Sequence, residues 1–141
     1  MIMPCYDWNL YLTFSEQILA SCTFDEQTVA RIAVSRAYYA AFHVAEDYLK
    51  ANKYEIAQGA GSHDAVCKSY KEMNKGVKEF KSKCRSIGSM LVSLKERRVD
   101  SDYNAGVSLN KSFANKNCKF ARKIIKEINE LDNLKNASKA C

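Results

Sequence analysis

The alternation of apolar and polar residues divides the chain into five helical stretches. Leu10, Phe14, Ile18 and Cys22 recur every four residues, and Tyr11 and Leu19 widen the stripe. This predicts a first helix from about Trp8 to Cys22 with Asp7 as its N-cap. Thr23-Phe-Asp-Glu26 reads as a capping box, Thr23 accepting from the Glu26 N–H while the Glu26 side chain reaches back. A second helix is therefore expected from near Phe24 to about Lys50 or Asn52. Its central stretch, residues 31–49, is rich in Ala and holds no Gly or Pro, a strongly helix-forming composition. From Ala37 to Ala45 every residue except His43 is apolar or aromatic, so this helix is expected to be buried on all sides.

Gly59 and Gly61 mark residues 53–61 as a loop, with Ser62 as a cap for the next helix. That third helix is expected over about His63 to Lys75, with Val66, Tyr70 and Met73 on one side and Gly76 ending or bending it. Val77, Phe80, Cys84, Ile87, Leu91 and Leu94 then step by threes and fours, a narrow seam on a fourth helix from about Val77 to Arg98. Gly88 inside it costs roughly 1 kcal/mol relative to Ala, which a close approach of two helices would explain. Residues 97–106 hold several turn formers and are expected to link to a fifth helix over about Ser108 to Leu134. Phe113, Phe120, Ile124, Ile128 and Leu131 point inward on that helix. Lys111, Lys116, Lys119, Arg122, Lys123 and Lys126 cover its outer face, and the tail after Asn136 is expected to fray. No stretch shows the strict alternation of a strand. The reading is an all-α, four- to five-helix up-and-down bundle, one domain over 1–141 with its core at about 8–134.

Composition narrows the function classes. A hydrophobic fraction of 47% is ordinary for a folded domain and argues against disorder. No run approaches the roughly 18 apolar residues of a membrane span. Met1 to Asp7 lacks the pattern of a signal peptide, so no membrane partner and a cytoplasmic location are expected. Cys5, Cys22, Cys67, Cys84, Cys118 and Cys141 form no CxxC pair and have no His at ligand spacing. No metal site and no cofactor are expected, and Cys22, Cys84 and Cys118 read as small core hydrophobes. The net charge of +6 is uneven, residues 1–60 carrying −3 and residues 61–141 carrying +9. A basic second half fits a polyanion footprint, and fits equally a Lys-rich solvated surface.

Two polar residues stand in the apolar column. Arg36 and His43 are seven residues apart, on nearly the same side and about 10.5 Å apart along the axis at 1.5 Å per residue. That is too far for both to act on one phosphate without help. A guanidinium inside a helical core needs a partner. The expected partner is Asp102, with Tyr38, Tyr39 or Tyr103 closing the hydrogen-bond network. His63 reads as a solvated residue at a helix start.

Ser35-Arg36-Ala-Tyr38-Tyr39-Ala-Ala-Phe42-His43 and the later Arg98-Val-Asp-Ser-Asp102-Tyr103 together resemble the HEPN superfamily of nucleotide-binding helical bundles. The resemblance is to small stand-alone prokaryotic members, which carry S-R-x-Y-Y-A-A-F and R-x-x-A-D-Y elements. Here the second element has one extra residue before the Asp-Tyr pair. The resemblance covers about residues 8–134. It implies a bundle that forms a homodimer, and a role in toxin–antitoxin or defence systems, often beside a small nucleotidyltransferase. Many relatives are metal-independent RNases with an R-x4–6-H motif, in which Arg neutralises the scissile phosphate and His moves the proton. The expected His is absent after Arg97 and Arg98. The resemblance thus implies Arg98, Asp102, Tyr103 and Arg36 as candidate catalytic residues. Arg97, Lys111, Lys116, Lys119 and Lys123 are the candidate RNA-phosphate contacts. Three readings stay open: an RNA-binding protein with RNase activity, a non-catalytic HEPN partner binding a nucleotide or a nucleotidyltransferase, and a helical interaction module.

Overall fold

Among the described residues of the computed structural model five helices form: α1 (Asn9–Ser21), α2 (Glu26–Ala51), α3 (Ser62–Lys71), α4 (Lys78–Tyr103) and α5 (Lys111–Lys139). The structure describes residues 5–56 and 61–139, with side chains through Lys135; the expectations at Gly59 and Cys141 lie outside the described residues. None of the described residues is in a strand. Among the described residues no helix is long and apolar enough to cross a membrane.

The directions of the helices follow from which residues meet. Ser15 of α1 donates to the Ala33 carbonyl and Trp8 stacks on His43, so α1 and α2 run antiparallel. Arg97 meets Asn117, and Lys83 meets Glu127, so α4 and α5 are also antiparallel. The Glu26 side chain reaches the Lys111 N–H and Tyr48 reaches Asp132, which makes α2 and α5 parallel. α2 touches every other helix. Ala30, Ala33, Ala37, Ala40, Ala41 and Ala45 are all fully buried. Their small side chains let the neighbouring backbones come close while Tyr38, Phe42 and Leu49 fill the remaining space.

Several local expectations are corrected. α2 is capped by Asp25, whose carboxylate accepts from the Thr28 N–H at 2.9 Å and the Thr28 hydroxyl at 2.8 Å. The capping box from Thr23 does not form, because Asp25 offers a stronger charged acceptor one residue before the helix. α1 turns Leu12, Ser15 and Leu19 inward, while Leu10 and Phe14 stay 52% and 49% exposed. The inward face therefore lies beside the every-fourth-residue stripe. α3 ends at Lys71, earlier than expected, and Gly76 follows at φ +92°. α5 starts later, at Lys111, and stays helical to Lys139, past the expected fray point. α4 runs through the expected linker to Tyr103. Arg31 explains that extension. Its guanidinium donates to the carbonyls of Asp100, Ser101, Asn104 and Val107, so a cation closes the last turn of α4.

The close approach expected at Gly88 is present. A Cβ there would sit 2.6 Å from Lys71 Cγ, 2.9 Å from Lys71 N and 3.1 Å from the Cys67 carbonyl oxygen. Cys67, Cys84 and Cys118 are buried free thiols, and burial pushes the Cys84 and Cys118 thiols up to about 12. Cys22 is half-buried.

Candidate functional site

The seam of α4 does not stop at Leu94. Leu91, Leu94, Arg98 and Ser101 continue the same three-and-four stepping, and all four are buried. Arg98 is therefore a core residue, 6% exposed, lying between α2 and the start of α3. Its Nη1 is 3.7 Å from Asp102 Oδ2, one turn on. Its guanidinium carbon lies 5.3 Å from the Tyr38 ring centre, 5.4 Å from Tyr39 and 6.0 Å from Tyr103. Its buried Nε has no hydrogen-bond partner among the described residues, so the aromatic faces supply most of its surroundings.

The expected Arg36–Asp102 pair is not formed. Ser35 stands between the two, its hydroxyl donating to Asp102 Oδ2 at 3.1 Å and accepting from Arg36 Nη2 at 3.2 Å. Arg36 is half-buried and lies 4.7 Å from the Tyr39 ring centre and 5.5 Å from Tyr11. The reason is positional. Asp102 is four residues from Arg98 on one helix, which gives that pair a short tether that Arg36 lacks. Among the described residues no carboxylate pairs with Arg36.

The second histidine belongs to the same cluster. His63 is the second residue of α3, and its Nδ1 lies 2.6 Å from the Tyr38 hydroxyl. Its ring stacks on Phe42 at 4.2 Å between centroids and lies 5.6 Å from Tyr39. His43 lies 6.2 Å from Tyr39 and stacks on Trp8 at 3.6 Å. One half-buried tyrosine ring is thus surrounded by two guanidiniums and two imidazoles.

Both imidazoles are held below the ordinary value of 6.5. For His63 burial acts first, and the cations Arg98 and Lys95 add to it. For His43 burial again acts first, opposed by Glu46 and Asp47 of its own helix and reinforced by Lys50 and Arg36. Burial also raises the Tyr38 phenol well above its usual range, which keeps the hydroxyl protonated. Lys95 has its own carboxylate in Asp64.

The other candidate residues fall elsewhere. Arg97 turns toward α5, donating to Asn117 Oδ1 at 3.2 Å and lying 5.1 Å from the Phe120 ring centre. It fastens two helices together. Lys116, Lys119 and Lys123 are exposed on the outer face of α5, and Lys111 is half-buried at its start. None of these lysines is among the charges that shift His43 or His63. Tyr103 is 76% exposed beside Asp102, over a surface hollow of about 430 Å³ lined also by Gln27, Arg31 and Ser101. A second hollow of about 300 Å³, lined by Tyr54, Met73 and Lys75 among others, lies toward the opposite end of α4 and gathers no comparable cationic cluster. Among the described residues no group of three His, Cys, Asp or Glu side chains is placed to hold a metal ion.

The sequence reading missed His63 as a member of this site. The signal was present: His63, Val66, Tyr70 and Met73 follow helical spacing, and the last three are buried. The chain matches no family model and no curated protein.

Proposed function

We propose that the chain is a HEPN-type RNA-binding protein that holds an RNA phosphate at the Tyr39 cluster and cleaves the strand without a metal ion. What supports this reading is Arg36. It is a half-buried guanidinium with no paired carboxylate among the described residues, set against an aromatic ring with two imidazoles flanking that ring. A guanidinium so placed matches a phosphate's charge and its paired oxygens. Arg98, 5.4 Å from the same ring centre, adds positive potential and pairs with Asp102.

The chemistry assigned to the site is transesterification. An imidazole accepts the proton of the 2′-hydroxyl, O2′ bonds to phosphorus, and the P–O5′ bond breaks. The leaving oxygen takes the proton back, giving a 2′,3′-cyclic phosphate and a 5′-hydroxyl. His43 is the residue for this transfer, because no hydrogen bond within the described residues ties up either of its ring nitrogens; although its backbone is two turns from Arg36, both side chains border the Tyr39 ring and the Arg36 charge reaches the imidazole. The S-R-x-Y-Y-A-A-F string supports a toxin–antitoxin or defence setting and a homodimer.

A short labelled RNA incubated with the protein in excess EDTA tests the proposal. Cleavage to cyclic-phosphate ends, lost in Arg36→Gln and His43→Ala, is the expected result. Intact RNA together with no measurable RNA affinity would overturn it. A second reading, a non-catalytic partner of a nucleotidyltransferase, is favoured by the outward-facing Leu10 and Phe14 of α1. RNA bound but left intact would select it.

A further inference from the structure

Within that RNA-binding reading, we propose that His63 is a neutral hydrogen-bond donor to a phosphate oxygen, locked in its Nε2–H form by the buried hydroxyl of Tyr38. His63 is then a phosphate-binding residue and Tyr38 a positioning residue. The Tyr38 ring is fully buried, and its hydroxyl has one hydrogen-bond partner among the described residues, His63 Nδ1 at 2.6 Å. A buried hydroxyl must place its proton on an acceptor. Tyr38 therefore donates, Nδ1 accepts, and the ring proton of a neutral His63 sits on Nε2, on the far side of the ring. The His63 ring is 5.6 Å from Tyr39, whose neighbours include the guanidiniums of Arg36 and Arg98.

The surroundings keep the imidazole neutral. Arg98 and Lys95 of α4 and His43 of α2 oppose a second proton, against Asp64 alone in its favour, and Asp64 is engaged by Lys95. Protonating Nδ1 would also require the Tyr38 hydroxyl to turn its hydrogen into packed side chains. A neutral donor needs no charge and no reorganisation when an anion arrives. This divides the two histidines by role: His43 moves the proton and His63 positions the phosphate.

The test has two arms. The first uses the protein alone. Nitrogen-15 NMR of the His63 ring at pH 7 distinguishes the two neutral forms and the imidazolium. The Nε2–H form is expected, giving way to a mixture in Tyr38→Phe. The Nδ1–H form or the imidazolium in the unmodified protein would overturn the assignment. The second arm measures binding of a short 2′-O-methyl RNA, which cannot be cleaved. His63→Gln retains an amide donor near the Nε2 position and should stay within about threefold of the parent, whereas His63→Ala should lose about tenfold, a typical cost for one hydrogen bond to a charged group. Equal losses in the two variants would overturn the inference while leaving RNA binding standing. Absence of binding by the parent protein would instead sink the RNA reading itself.

Discussion

Removing the Asp102 carboxylate is the sharpest perturbation of this core. Asp102→Ala takes away the counter-ion of Arg98, whose side chain is 8% exposed, and the acceptor of the buried Ser35 hydroxyl. Stranding one partner of a fully buried pair costs about 3–5 kcal/mol. Two features lower that figure here. The Asp102 side chain is 27% exposed and the N···O distance is 3.7 Å, so the pair is partly screened. The three tyrosine rings also remain around the guanidinium, each contributing roughly 0.5–1 kcal/mol. With about 1 kcal/mol for the orphaned Ser35 hydroxyl, the expected loss is about 2–3 kcal/mol. At roughly 4 °C per kcal/mol for a chain of this size, the Tm should fall by about 10 °C. Urea denaturation followed by circular dichroism measures the free energy, and Arg98→Met/Asp102→Ala supplies the control. If the loss comes from a stranded charge, the double variant should recover more than half of it. A single variant within 0.5 kcal/mol of the parent, or a double variant no better than the single, would refute the reasoning.

Other outcomes follow from the same geometry. Arg36→Met should leave the unfolding free energy within about 1 kcal/mol of the parent, because Arg36 is half-buried and its partners are a hydroxyl and two rings; calorimetry reads this. Gly88→Ala should destabilise by about 1–2 kcal/mol in urea despite the better helix propensity, since the new Cβ meets the Lys71 nitrogen and the Cys67 carbonyl, which cannot swing away. His43 and His63 both lie below 6.5 in the folded chain, so the unfolded chain binds more protons as the pH falls. Stability from these groups is full above about 6.5 and is lost as the pH drops through their folded values, and His43→Asn/His63→Gln should flatten that part of a Tm-against-pH curve.

Much of the architecture was legible because burial repeats along a helix leave a periodic trace. The alanine column of α2 and the seam of α4 are examples. The seam also carried the clue to Arg98, since a charged residue on an apolar repeat is buried with it. Other features depended on contacts between distant segments. α4 continues to Tyr103 because Arg31, about 70 positions earlier, caps its carbonyls, and no local signal near Asp100 announces that. The inward face of α1 depends on which side α2 and α5 occupy, and an amphipathic helix with apolar residues on two faces leaves that choice open. His63 looked solvated because it opens a helix. Only the packing of α3 against α2 sets its ring on Phe42 and its nitrogen on Tyr38. Arg97 and Arg98 are neighbours in sequence, and the 100° turn between them sends one to α5 and the other to the tyrosine cluster.

The central claim is that the Tyr39 cluster, and not the lysine face of α5, receives RNA. Titrating isotope-labelled protein with a short unstructured 2′-O-methyl RNA tests it most directly. The account predicts that the Arg36 side-chain signal and the ring signals of His43 and His63 shift first, and that affinity falls steeply with salt. Lys116→Ala/Lys119→Ala/Lys123→Ala should leave that salt dependence unchanged. Shifts confined to the Lys116–Lys123 face, with a salt slope that drops by about 0.7 for each lysine removed, would contradict it.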